Sequence, residues 1–195
     1  MIDFANAIEV HPWICVPYLA NDQFVTNLAN LAKNRLKPNL KLHVEYANEV
    51  WNPLYPAYTY AEVNGRALRL STNNYEAALR YYSQRSVEIF RIVRNIMGAN
   101  RTVRLLCGQH VSPYVLRTEL SWKNASQDVD AIAIAPYIGT DFGDPNNAAR
   151  TLSWSDNELL FRTYLDINRA MGPVRTHKQL ADQYSVDLYT YEGGQ

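Results

Sequence analysis

The 195-residue chain is short of several things, and each shortage narrows what it can be. No apolar run approaches the ~20 residues that a bilayer-crossing helix needs, so no membrane span is expected. Its 19 basic and 19 acidic side chains cancel. A nucleic-acid or membrane-surface partner favours a basic patch, and neither partner is expected. The only two cysteines, Cys15 and Cys107, lie in apolar strand-like runs and read as buried free thiols. His11, His43, His110 and His177 lack metal-ligand spacing such as H-E-x-x-H, so neither a metal nor another cofactor is expected. No strand-like run is followed by G-x-G-x-x-G or G-K-[ST], which argues against a nucleotide-binding doubly wound sheet. Ser112, close to His110, lacks the G-x-S-x-G elbow of a hydrolase triad. The first ten residues have no basic n-region, apolar core or cleavage site, which favours a cytoplasmic location.

What is present is an alternation of short apolar runs with longer amphipathic ones. Nearly half the residues, 47%, are hydrophobic, enough for one globular domain over residues 1–195. W-I-C-V-P-Y (13–18) reads as a buried strand, and Asn21-Asp22 caps a helix with Phe24, Val25, Leu28, Leu31 and Ala32 at helical spacing. K-L-H-V-E-Y-A-N-E (41–49) is a second strand. One long amphipathic helical segment is expected over 56–97, stopped by Gly98. Strands are then expected over 102–108 and 130–137, with a helix at 112–120 between them. Helical stretches over 156–171 and 177–184 precede a last strand, D-L-Y-T-Y-E. Strand and helix alternating in this way indicate parallel βαβ units, an α/β fold. Where such strands curl into a (β/α)8 barrel, the chemistry sits at their C-terminal ends. Asn48, Glu49, Gln109, His110, Tyr137 and Glu192 all fall there.

Y-A-N-E-V-W-N (46–52) and Y-T-Y-E-G-G (189–194) carry two carboxylates at strand ends, an unusual place for unpaired charge. The first stretch resembles the end of strand 4 in clan A glycoside hydrolases, the retaining (β/α)8 barrels that include many cellulases and β-glycosidases. The resemblance implies that Glu49 is the general acid/base and Glu192, matching the end of strand 7, the nucleophile. It also implies that Asn48 donates to a sugar 2-hydroxyl and that Tyr137, matching the aromatic after strand 6, lies near the nucleophile. Retaining hydrolysis needs two carboxyl groups about 5 Å apart, one to attack the anomeric carbon and one to protonate the leaving oxygen. Parallel strand ends supply such a pair on rigid supports. Trp51 and Trp13 are candidate stacking platforms for sugar faces, and His110 is a candidate for orienting a carboxylate.

Plainer readings stand beside these. Glu49 could cap a helix near Asn52-Pro53 or form an ion pair. Glu45 shares strand parity with Glu49 and is expected deeper on the same face, paired with a buried cation such as Arg104. Trp154 and Tyr191 read as packing, and Trp13 and Tyr137 fit a core as well as a site. The resemblance spans strands 3 to 7 of the family's barrel, leaving strands 1, 2 and 8 without counterparts. A partial barrel of about five strands exposes two sheet edges and an apolar inner face. The expectation is therefore a homo-oligomer covering the open side, or a piece of a longer enzyme. The substrate expected is an oligosaccharide or β-glycoside with β-linked glucose or a related sugar. The alternative is a non-catalytic carbohydrate-binding or scaffold protein on the same platform.

Overall fold

The structure is a computed structural model that describes residues 1–194. Five strands form one sheet: β1 (Trp13–Val16), β2 (Leu42–Tyr46), β3 (Thr102–Cys107), β4 (Ala131–Ile134) and β5 (Asp187–Thr190). The sheet is all-parallel, and its spatial order follows the chain, β1-β2-β3-β4-β5. Among the described residues seven α-helices accompany it: α1 (Ile2–Ile8), α2 (Asp22–Arg35), α3 (Pro56–Ala67), α4 (Asn74–Met97), α5 (Pro113–Ser121), α6 (Ala148–Leu152) and α7 (Asp156–Tyr184). The protein is thus an α/β fold with a five-stranded parallel sheet and flanking helices. Among the described residues no helix is long and apolar enough to cross a membrane.

Strand parity sorts the core into two layers. Ile14, Val16, Leu42, Val44, Tyr46, Leu106, Ile132 and Ile134 point to one face, where they meet Val25, Ala29, Phe90, Leu116 and Leu180 from the helices. The opposite face carries Val103, Leu105, Cys107, Ala131 and Ala133, with Trp13, Tyr189 and Tyr191 against them and no helix in that cluster. All sheet-packed helices therefore lie on one side. The second face is small in side-chain volume near its centre and open at β1, where Cys15 is exposed.

Several sequence expectations shift in detail. The segment read as one helix over 56–97 is two helices, which end and restart around Arg69, a non-glycine residue in the left-handed region (φ 55°). Asn73 caps α4 by accepting the Glu76 N–H. The two helices pack so closely that a Cβ on Gly65 would stand 2.2 Å from the Ala77 carbonyl oxygen. At the other end of the chain, the two stretches 156–171 and 177–184 are a single 29-residue helix that runs through Pro173. Proline removes one N–H, so the carbonyl of Arg169, four residues back, loses its helical donor. Docking of Leu180 and Ala181 into the core holds the helix together past this point.

Glu45 does not pair with Arg104. Parallel register sets Val44 opposite Arg104, so Arg104 projects to the helix side while Glu45 projects to the other face. Arg104 instead forks onto Asp130, with Nε and Nη2 each 2.8 Å from a carboxylate oxygen, and its backbone N–H donates to the same group. Burial pulls Asp130 upward, but these Arg104 contacts outweigh it and leave the carboxyl below its ordinary value. Cys15 and Cys107 are free thiols, but Cys15 is exposed rather than buried because it sits on an edge strand.

Candidate functional site

The C-terminal ends of the strands gather the polar residues. A cavity of about 290 Å³ opens there, lined by Glu49 and Trp51 after β2, Gln109 and His110 after β3, Tyr137 after β4 and Tyr191 after β5. Arg169, Ala170 and Pro173, on one face of α7, close a further wall. Trp51, Tyr137 and Tyr191 give the cavity aromatic sides, and Gln109, His110 and Arg169 give it donors.

Glu49 sits in a strained turn. Strand β2 ends at Tyr46, earlier than the sequence suggests, and both Ala47 (φ 54°) and Glu49 (φ 48°) adopt left-handed conformations. Each costs about 1 kcal/mol or more for a residue with a Cβ. The turn aims the Glu49 carboxylate at two donors. Tyr191 donates its hydroxyl to Oε1 at 3.2 Å, and Asn52 donates Nδ2 to Oε2 at 3.0 Å. Glu49 neither caps a helix nor forms an ion pair among the described residues: α3 starts at Pro56 with no side-chain cap.

Glu192 follows β5 and is exposed; it does not line the cavity wall, but Tyr137, which does, donates its hydroxyl to Glu192 Oε2. Backbone pairing fixes this contact, since Ile138 N–H donates to the Gly194 carbonyl at 2.8 Å and Tyr191 N–H to Ile134 at 3.1 Å. The bond to Glu192 comes first among the causes that raise the Tyr137 hydroxyl to about 12, followed by burial and by the charges of Glu192 and Glu49. Tyr191 is likewise driven well above its usual value, first by burial and then by the Glu49 charge. One phenol thus feels both carboxylates, and a second phenol bonds the other of the pair.

A single buried carboxylate lies further down β2. Glu45, 1% exposed, accepts the Trp13 indole N–H at 2.8 Å and the Cys15 thiol at 3.2 Å on one oxygen. Burial raises its carboxyl; the donors from Trp13, Cys15 and Cys107 oppose this, and the Glu192 charge adds to it. Burial and the neighbouring Glu45 push the Cys15 thiol up to about 12, so it is not a nucleophile at neutral pH.

The remaining sequence candidates divide. Trp51 and His110 line the cavity, although His110 bonds neither Glu49 nor Glu192. Burial lowers the His110 ring, with partial opposition from the Ala170 carbonyl. Its own carbonyl pairs at 2.9 Å with Nε2 of His177, a fully buried ring on α7 that burial also holds below its ordinary value. Asn48 is exposed and does not line the cavity. Trp13 lies at the start of β1, stacked on His43 at 5.9 Å and committed to Glu45, away from the strand-end cavity. Among the described residues, no group of three or more His, Cys, Asp or Glu side chains could hold a metal ion.

Sequence reading missed Tyr191, Asn52 and Arg169. Tyr191 lies just past β5, two residues beyond Tyr189 and against the same inner cluster, and reads as packing, yet its hydroxyl reaches Glu49. Asn52, in the quoted N-E-V-W-N stretch, was the one with a local signal, three residues beyond Glu49. No protein-family model matches the chain, and no curated protein matches it either.

Proposed function

We propose that the protein is a retaining glycoside hydrolase acting on β-linked glucosides or related β-glycans, with Glu192 as nucleophile and Glu49 as general acid/base. In this reading the Glu192 carboxylate attacks the anomeric carbon while Glu49 hands a proton to the departing glycosidic oxygen. Glu49 then takes a proton from water, which attacks the same carbon and frees Glu192. The observation that carries the reading is the Tyr137 hydroxyl, which bonds Glu192 and lies within the field of Glu49. It sets two carboxylates from distant parts of the sequence beside one aromatic-walled cavity. Backbone strain at Ala47 and Glu49 is of the kind stored at functional sites.

The sheet forms, in this proposal, part of a (β/α)8 barrel. Sequential strand order and one-sided helices support it, because a doubly wound sheet reverses its order and carries helices on both faces. The open side would be covered by self-association. Among the described residues β1 and β5 each pair on one side only, and the second face of the sheet carries no helix in its cluster. Light scattering on the eluting peak tests this: a dimer mass supports it, and a monomer at micromolar concentration refutes it.

A second reading, a sugar-binding protein without turnover, draws support from Glu192 being exposed and outside the cavity wall. A 2-deoxy-2-fluoro aryl β-glucoside separates the two. A covalent sugar adduct on Glu192, located by peptide mass spectrometry, supports the hydrolase; reversible binding with no adduct supports the binding protein.

A further inference from the structure

Among the described residues Arg169 is the one permanently cationic side chain that lines the cavity; it is largely exposed and tied to a single carboxylate. Its Nε is bonded to Asp166 Oδ1, one helical turn earlier on α7. Asp166 is itself buried, 8% exposed, and its second oxygen accepts the Gly139 N–H at 2.5 Å. A single carboxylate therefore ties the loop after β4 to α7 and bonds the guanidinium through Nε. This bond takes only one of the five donors of the arginine, and the two terminal nitrogens bond no other described side chain. Asp141 is close enough to be felt by Arg169, but it forms its own ion pair with Arg150.

The rest of the rim is uncharged or negative. Gln109 and Thr140 offer neutral polar groups to the same cavity, and burial disfavours the charged form of His110. An anionic ligand entering beside Glu49 and Glu192 meets repulsion unless a cation offsets it. A guanidinium with its outer fork unused is suited to do so, because its parallel N–H groups match an oxyanion bidentately.

We propose that the cavity selects sugars carrying an acidic group, a uronic carboxylate or a sulfate ester, and that the outer fork of Arg169 binds that oxyanion. The proposal rests on the glycosidase reading only for turnover; the selection itself is a property of binding. Asp166 is a positioning residue, acting through the orientation of Arg169.

The test is calorimetric titration with phenyl β-D-glucoside, phenyl β-D-glucuronide and 6-sulfated phenyl β-D-glucoside, alongside turnover of the matching nitrophenyl compounds. The expected result is binding of at least one anionic compound about tenfold tighter than the neutral one, the scale of one charge-assisted bidentate contact. Arg169→Gln should reduce the anionic-to-neutral ratio to near one. Arg169→Lys, which keeps the charge but not the fork, should retain part of it, as should Asp166→Asn, and added salt should shrink it. Whichever of glucuronide and sulfate is preferred identifies the source of the anion. Equal binding of all three compounds, or a preference that Arg169→Gln leaves intact, overturns the proposal. Preference in binding with no turnover of any nitrophenyl compound leaves acid selection standing and counts against the hydrolase instead.

Discussion

Tyr191 reaches across the sheet to donate its hydroxyl to Glu49 at 3.2 Å, a contact between residues 142 positions apart in sequence. The next residue, Glu192, is bonded by Tyr137 instead. Consecutive residues after β5 therefore serve both carboxylates, so a small shift of that one segment disturbs both at once.

Removing the Tyr191 hydroxyl tests this coupling. Tyr191→Phe keeps the ring in the inner cluster but frees Glu49 Oε1. If Glu49 is the general acid, turnover of aryl β-glycosides should fall by about ten- to a hundredfold, the range expected when a reacting group loses its alignment. Thermal stability should change little, since a single net hydrogen bond contributes about 1 kcal/mol. Steady-state kinetics beside a melting curve separates the two effects.

The left-handed backbone at Glu49 gives a stability prediction that runs against the usual cost of glycine. Glu49→Ala and Glu49→Gly both delete the carboxylate and its bonds to Tyr191 and Asn52. Only glycine relieves the φ of 48°. The glycine variant should therefore be the more stable of the two by about 1 kcal/mol, measured by denaturant unfolding. A more stable alanine variant contradicts the strain.

His177 makes the docking of α7 sensitive to acid. The ring is fully buried, and burial lowers it below its ordinary value of 6.5. For a base with a lowered folded value, stability is full above the unfolded value and is lost as pH falls through it. The wild type should accordingly lose stability from about pH 6.5 downward, with amide exchange rising in α7. His177→Gln can still donate to the His110 carbonyl but does not titrate, so its stability should vary less over this window.

Much of the fold was legible in the sequence because apolar runs flanked by turn residues determine strands whatever lies around them. Trp13–Val16, Thr102–Cys107 and Asp187–Thr190 all fall inside their expected runs. The break between α3 and α4 was harder to see, since no glycine or proline marks it and Leu68 and Leu70 keep the apolar rhythm. The Asn73 cap with Glu76 three residues on was the available signal. At Gly172-Pro173 the sequence shows a break that tertiary docking overrides. The two strand-end glutamates stood out because charge is rare there. Tyr191 and Arg169 did not, because a tyrosine on an aromatic strand and an arginine on a long helix match their local patterns. What distinguishes Tyr191 is its contact with Glu49, 142 positions away, which only the folded chain brings together, and what distinguishes Arg169 is its place on the cavity wall, since its i,i+3 pair with Asp166 is local to the helix.

The most direct measurement is turnover on a panel of aryl β-glycosides, neutral and anionic, by the wild type, Glu49→Gln and Glu192→Gln at matched folding. The account predicts hydrolysis by the wild type that falls at least a thousandfold in Glu192→Gln and sharply in Glu49→Gln, on the scale of losing a nucleophile and a general acid. No hydrolysis by the folded wild type, or hydrolysis indifferent to both substitutions, contradicts it.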